Sequence, residues 1–284
     1  MDRGSVLLSL VLAFGAGCSS SGANANANTC RNLENGIPLC GPDSVEVPLE
    51  AGSSSPVIIA RINGREARVL VDTGAQAPII SSSWLGVSDA QWIRTEELCF
   101  GELCLEGEQV YAQDTEFSQP DAAAINGFIG MRTLQHFAVE FVHGTSVRFS
   151  QKPTCQGVTH PLAFGDEGTP FADIRIDGHA FSHVAIDSGS TFTVLSQATV
   201  DLLAPYVTAR GQVADLCTVD GCMTGVAQSS SVKEYCVFDV CEPNVPVKFP
   251  AFDAIGSSFL FLQDSVFDFP NGNLAFCDVA SDGS

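Results

Sequence analysis

The chain has 284 residues, enough for one large or two small domains with a real core. Its 45% apolar content, with 19 Phe and 26 Gly, fits a folded, turn-rich protein and excludes a disordered one. With 33 acidic against 13 basic residues the net charge is −20, which repels phosphate backbones and excludes nucleic-acid binding; the plain role of that acidity is solubility.

In chain order, Met1-Asp2-Arg3 leads into VLLSLVLAFGAG and then Cys18-Ser19-Ser20. The apolar run is too short to span a bilayer as a helix but has the length of a signal-peptide core, so residues 1–18 read as an export signal. The small residues before Cys18 resemble a bacterial lipoprotein box, in which that cysteine is lipidated, although Gly15 stands where the box usually carries Leu. ANANA at 23–27 offers an ordinary signal-peptidase site instead. Both readings predict an exported chain, either a cell-surface or outer-membrane lipoprotein or a secreted protein. A polar leader of Ser, Asn and Ala covers 19–44.

Setting Cys18 aside leaves ten cysteines, an even number that in an exported chain argues for disulfides. Three pairs share C-x4-C spacing: Cys99/Cys104, Cys217/Cys222 and Cys236/Cys241. Zinc would favour the tighter C-x2-C knuckle, so the spacing points to bridges. Connectivity beyond these local pairs stays open.

The chain then repeats itself. PLEAGSSSPVIIARING (48–64) matches PLAFGDEGTPFADIRIDG (161–178), and LQHFAVEFVHGTSVRF (134–149) echoes LQDSVFDFPNGNLAF (262–276). The offset grows from 113 at Pro48/Pro161 to 115 at Asp72/Asp187 and 118 at Cys99/Cys217, a drift expected of two copies of one unit. Each copy is β-rich by pattern. Asn63-Gly64 and Asp177-Gly178 sit between alternating apolar runs and predict type I′ hairpins. The best short helix is 196–207, SQATVDLLAPYV. The expected organisation is a first β lobe over 45–150, a linker over 151–160 and a second β lobe over 161–284.

Each predicted hairpin runs into an acidic triplet: VLVDTGA at 69–75 and VAIDSGS at 184–190. A carboxylate ending a buried strand is costly unless it is hydrogen-bonded or functional. Gly74 and Gly189 let the backbone turn and approach another segment closely, and Thr73 and Ser188 supply hydroxyls able to bond across to the facing loop. If the copies pack about a pseudo-twofold axis, Asp72 faces Asp187. Carboxyls that close cannot both ionise, so they share a proton, one serving as general base and the other as hydrogen-bond donor.

On these residues the sequence resembles the pepsin-like and retropepsin-like aspartic proteases. Supporting segments are Phe128-Ile129-Gly130 and Ala254-Ile255-Gly256, which in that family thread beside the catalytic loop, and the closing stretches AVEFVHG and SVFDFPNG. The resemblance covers essentially all of 45–280. It implies a mainly β fold of two lobes with a cleft between them, Asp72 and Asp187 as the catalytic pair, and Thr73, Gly74, Ala75, Ser188, Gly189 and Ser190 as their supporting loops. It further implies a monomeric endopeptidase acting on an extended peptide or protein, with no metal, no cofactor and no covalent acyl intermediate, touching a membrane only through a lipid on Cys18.

The family closes a hairpin flap over its substrate. The candidate here is ELCFGELC (97–104), with a type II′ turn at Gly101-Glu102, Phe100 at the tip and Cys99 facing Cys104. Pepsin-like flaps carry Tyr where Phe100 stands; Tyr111 is a second candidate. Ala75 follows the first triplet where Ser190 follows the second, so a Ser190 hydroxyl bonded to Asp187 would make the carboxyls unequal. Arg31 is the leader's one basic residue, unlike the basic prosegment of a zymogen, so activity without an activating cleavage is expected.

A second function class keeps this fold as a catalytically silent binding or inhibitor lipoprotein, and a third makes the two Asp mere capped loop residues. A metal enzyme fares worse. His179 and His183 lie on a predicted strand, where four residues span about 13 Å, too far to share one ion. Trp84 and Trp92 read as core.

Overall fold

Two tight turns set the pairing of the strands that carry the acidic triplets. Asn63 and Gly64 hold φ of 50° and 76°, Asp177 and Gly178 hold 47° and 86°, the positive values a type I′ turn needs at both centres. The first joins Val57–Ile62 to Arg65–Val71 and the second joins Pro170–Ile176 to His179–Ile186. Each turn side chain also accepts from the next strand. Asn63 Oδ1 takes the Glu97 amide at 3.3 Å, and Asp177 Oδ1 takes the Glu234 amide at 2.9 Å.

The computed structural model describes residues 30–114, 124–155, 157–203, 216–218, 221–223, 228–249 and 252–277, with backbone alone for 216–218, 221–223 and 228–229. Strands take 51% and helices 10%, so the protein is mainly β, built on a half-barrel and a closed barrel. The half-barrel is a ten-stranded sheet from the first copy, in which Gly127–Ile129 runs parallel to Arg65–Val71 and antiparallel to Ile79–Ile80. The barrel belongs to the second copy. There Ala254–Ile255 runs parallel to His179–Ile186 and antiparallel to Thr193–Val194, and Pro170–Ile176 pairs with Gln228–Val237 to close the sheet.

A six-stranded sheet joins the copies. Its order is Gly157–Pro161, Asn273–Cys277, Ser265–Asp268, Ala138–Val142, Ser146–Ser150, Ser44–Pro48, so each copy's closing hairpin meets the other's at the centre. Across three of these strands Arg148 reaches Glu46 at 2.7 Å and Glu140 at 2.6 Å. Phe100, Phe137 and Phe149, all fully buried, fill the space beneath; Phe100 stacks on Phe149 at 4.2 Å and meets Phe137 edge-on at 6.0 Å. Such aromatic pairs add about 0.5–1.5 kcal/mol beyond their buried area.

The pairing corrects one correspondence. Cys99 sits opposite Arg61, and Cys236 opposite Arg175, so the second-copy equivalent of Cys99 is Cys236 and not Cys217. Cys217 and Cys222 instead face each other on an extra two-stranded hairpin between Thr193–Val194 and Gln228–Val237. The first copy covers the equivalent stretch, Ile79–Ile80 to Gln91–Arg94, with the short helix Ser82–Leu85. That insertion breaks the smooth drift.

Bridges form at Cys99–Cys104 and Cys236–Cys241, as the spacing predicts, and also at Cys30–Cys40 and Cys155–Cys277. The sulfurs of Cys217 and Cys222, and the whole of Cys18 with the export signal, lie outside the described residues. Part of the stretch read as a polar leader is strand: Cys30–Asn32 pairs with Pro38–Cys40 at the edge of the ten-stranded sheet. The short helix is observed over Gln197–Leu203; 204–207 lie outside the described residues. Among the described residues no helix is long and apolar enough to cross a membrane.

Two stability predictions follow from burial and connectivity. Cys155–Cys277 spans 122 residues and the hairpin bridges span 5. In chain-entropy terms its loss should cost about 5 kcal/mol against about 2 for a hairpin bridge, an order that urea midpoints of paired Cys→Ser variants will read. Glu108 is fully buried, its Oε2 has no partner among the described residues, and burial lifts its pKa to about 7. A carboxyl raised on folding stabilises below its unfolded pKa of about 4.5 and loses that contribution as pH climbs through 7. Unfolding free energy should therefore fall by up to about 3 kcal/mol over that window, and Glu108→Gln should flatten the profile.

Candidate functional site

Each acidic triplet is tied first to its own copy. The Asp72 amide donates to Ile129 O at 3.0 Å and the Asp187 amide to Ile255 O at 3.0 Å. Beyond them the Met131 amide reaches Ala75 O and the Ser257 amide reaches Ser190 O, both at 2.8 Å. The two Phe/Ala-Ile-Gly segments thus thread beside the two loops in matching register.

The loops are then tied to each other. Thr73 N donates to Ser188 Oγ at 3.0 Å, and Ser188 N donates to Thr73 Oγ1 at 2.9 Å. Each hydroxyl passes its own proton back across: Thr73 Oγ1 to Ile186 O at 2.7 Å and Ser188 Oγ to Val71 O at 2.8 Å. Both side chains are fully buried, so every donor and acceptor here must find a protein partner, and does.

This lattice brings the carboxyls together. A Cβ on Gly74 would lie 2.6 Å from Asp187 Cγ, and one on Gly189 would lie 2.5 Å from Asp72 Cγ. Each carboxyl therefore packs on the bare backbone of the opposite loop, which a side chain would block. Asp72 and Asp187 hydrogen-bond to one another. Asp72 Oδ1 also accepts from the amides of Gly74 at 2.9 Å and Ala75 at 3.1 Å; Asp187 accepts from those of Gly189 and Ser190, the latter at 3.1 Å. Burial pushes both carboxyls above the ordinary carboxylate range, and the charge of Asp187 pushes Asp72 further. The pair titrates as one unit that keeps a proton where separate aspartates would have lost theirs. Chemically it is an acid and a base a hydrogen bond apart.

The hydroxyl bond expected from Ser190 to Asp187 is not present; Asp72 is the more easily protonated, as expected, but through burial and the charge of Asp187. The Ser190 hydroxyl donates to Phe192 O at 2.8 Å, and the Ser190 amide gives Asp187 the bond that the Ala75 amide gives Asp72. A short hydroxyl beside an open carbonyl takes the local partner.

The flap candidate is also corrected. The hairpin Glu97–Phe100/Leu103–Glu106 forms with Cys99 opposite Cys104, but its tip lies away from the carboxyls. Cys99 pairs with Arg61, and Arg61 with Glu66, six residues and about 20 Å up the strand from Asp72. Phe100 lies in the aromatic cluster; a Cβ on Gly101 would strike Val45 Cγ2 at 2.7 Å, and one on Gly41 would strike Glu102 O at 2.3 Å. Phe100 closes the core, while Gly101 and Glu102 form an exposed turn outside it. The equivalent second-copy tip does likewise, Phe238 stacking on His160 at 4.5 Å.

His179 and His183 lie on one strand as expected, His183 stacking on Phe171 at 4.1 Å. Trp84 packs on the core, but Trp92 is 50% exposed beside Tyr111, under the Arg132 guanidinium. Among the described residues the clusters able to reach one metal ion each contain two sulfurs already bonded to each other, so none offers a thiolate. Sequence reasoning missed a second tie between the copies: Ser55 Oγ shares a hydrogen bond with Thr191 Oγ1 at 2.7 Å, and Ser257 Oγ donates to Ser54 O at 3.1 Å. Its one sequence signal is the serine run just before Pro56.

No family model matches the chain, and no curated protein matches it.

Ser188→Ala should leave the Thr73 amide buried without an acceptor and cost about 2–4 kcal/mol of unfolding free energy. Ser188→Thr, which restores the hydroxyl in the form the first copy uses, should recover most of it; chemical denaturation of both variants checks this.

Proposed function

We propose that the chain is an aspartic endopeptidase of the pepsin-like and retropepsin-like kind, its two β lobes (45–150 and 161–284) related by a pseudo-twofold axis with a peptide-binding cleft between them. The observation that carries this reading is the mutual lock of two Asp-(Thr/Ser)-Gly loops, from two copies of one unit, with their carboxyls hydrogen-bonded to each other. The arrangement suits the chemistry of aspartic proteases, the type case of paired carboxyls sharing a proton.

In this mechanism a water lies between the carboxyls and the scissile carbonyl of an extended peptide. The ionised aspartate takes a proton from the water as its oxygen attacks the carbonyl carbon, while the protonated aspartate gives its proton to the carbonyl oxygen. The newly protonated aspartate then gives its proton to the amide nitrogen while the other takes one from a hydroxyl of the tetrahedral diol; the carbonyl re-forms, the C–N bond breaks and the pair again holds one proton. The matched main-chain donors on Asp72 and Asp187 fit this exchange of roles, since those bonds favour neither carboxyl as the acid. Because both carboxyl pKa values are raised, the pair keeps its shared proton to higher pH than ordinary aspartates would. The four bridges favour an oxidising compartment, in keeping with an exported protein that is either anchored by a lipid on Cys18 or released.

Denatured casein at acidic pH is the direct assay. The wild-type chain should cleave it and pepstatin should inhibit; Asp72→Asn and Asp187→Asn should each lower the rate by roughly a thousandfold or more, as when one member of a catalytic unit is removed. Cleavage that persists in both variants would overturn the mechanism. A folded wild-type chain that cleaves nothing would favour the silent binding protein.

A further inference from the structure

The duplication preserves a second constellation, remote from the carboxyl pair. In the first copy Arg61 Nη2 donates to Cys99 Sγ at 3.3 Å and to Cys104 Sγ at 3.7 Å, while Arg61 Nε is held by Glu97 at 3.1 Å. In the second, Arg175 Nη2 donates to Cys236 Sγ at 3.1 Å and to Cys241 Sγ at 3.4 Å, while Arg175 Nε lies 3.7 Å from Glu234. In each pair the inner sulfur's residue, Cys99 or Cys236, is fully buried, and the outer one is half-exposed or exposed. Cys155–Cys277 and Cys30–Cys40 have no guanidinium bond among the described residues; a carboxylate lies beside Cys40, as one does beside Cys99 and by the Cys236–Cys241 pair, so the cation alone sets the two hairpin bridges apart. A strand bridge needs no cation to form. A fixed cation on its sulfurs matters once the bond opens.

We propose that Cys236–Cys241, and more slowly its twin Cys99–Cys104, is a thiol–disulfide exchange site that accepts electrons from a dithiol reductant. A thiolate of the reductant attacks the exposed Cys241 sulfur, forming a mixed disulfide as the Cys236–Cys241 bond breaks. Cys236 leaves as a thiolate against the Arg175 guanidinium, which stays charged at any working pH. The reductant's second thiolate attacks its own sulfur in the mixed disulfide, closes the reductant's disulfide and frees Cys241. Two electrons and two protons pass from the dithiol to the cysteine pair. Exchange speeds up as the leaving thiol becomes more acidic, and a neighbouring guanidinium makes it so. The same logic ranks the twins: Arg175 lies nearer its sulfurs and farther from its carboxylate than Arg61, and Cys241 is the more open to attack.

The test is the full chain incubated with dithiothreitol at neutral pH, quenched with iodoacetamide at intervals, and read by peptide mass spectrometry. Cys236 and Cys241 should label first, Cys99 and Cys104 next, and Cys155 and Cys277 last. Arg175→Gln should slow opening of Cys236–Cys241 about tenfold and leave Cys155–Cys277 unchanged, with Arg175→Lys in between. An Arg175→Gln chain that opens this bridge at the wild-type rate overturns the proposal. So does a wild-type chain in which Cys155–Cys277 opens as fast. Should Arg175→Gln fail to fold, the order of the twins in the wild type decides: Cys99–Cys104 opening first would refute the proposal, and the reverse order would support it.

Discussion

Thr73 and Ser188 each give a proton to a carbonyl and take one from an amide, in a place closed to water. These bonds hold the two acidic loops at contact distance. Buried carboxyls repel one another and resist burial, so the loops need an attraction between them that does not depend on charge. Four neutral hydrogen bonds supply it, each stronger for lying in a low-dielectric site and each costly to leave unmade. The bare backbones of Gly74 and Gly189 then leave room for the opposing carboxyl.

The rest of the architecture serves to aim these loops. Two type I′ turns start the hairpins whose second strands end on Asp72 and Asp187. Parallel pairing with Gly127–Ile129 and Ala254–Ile255 fixes the strand ends, and the amide bonds to Ile129 O and Ile255 O place the aspartates. Below, the six-stranded sheet and its aromatic layer hold the copies together where the loops themselves bury little. Identical solutions in both halves explain the matched donors on the two carboxyls.

Much of this was legible because it rests on residues with narrow conformational choices. Asn-Gly and Asp-Gly between alternating apolar runs name their turn, and an Asp-Thr-Gly that ends an apolar strand, met again in a second copy, names a contact between the copies. C-x4-C marked three hairpins as hairpins. What stayed hidden was direction. Spacing says that Phe100 caps a hairpin, but which side of a sheet that tip meets depends on Val45 and Phe149, far away in sequence. Spacing also paired Cys99 with Cys217, since an inserted hairpin in the second copy displaced the true counterpart, Cys236, along the chain. The hydroxyl of Ser190 had two acceptors within reach, and composition cannot choose between them. The tie from Ser55 to Thr191 went unseen for the same reason.

The order of the six-stranded sheet has a consequence for ancestry. Its two central strands, Ala138–Val142 and Ser265–Asp268, come from different copies, and their neighbours repeat outward in the same sequence on either side. The seam is therefore self-complementary, as in a homodimer. The connecting peptide supplies one edge strand, Gly157–Pro161, which matches Ser44–Pro48 at the opposite edge. A gene half as long, encoding one unit, could have built the same sheet and the same paired loops by associating with its twin, and fusion would then have freed each half to diverge, one toward an open sheet and the other toward a closed barrel.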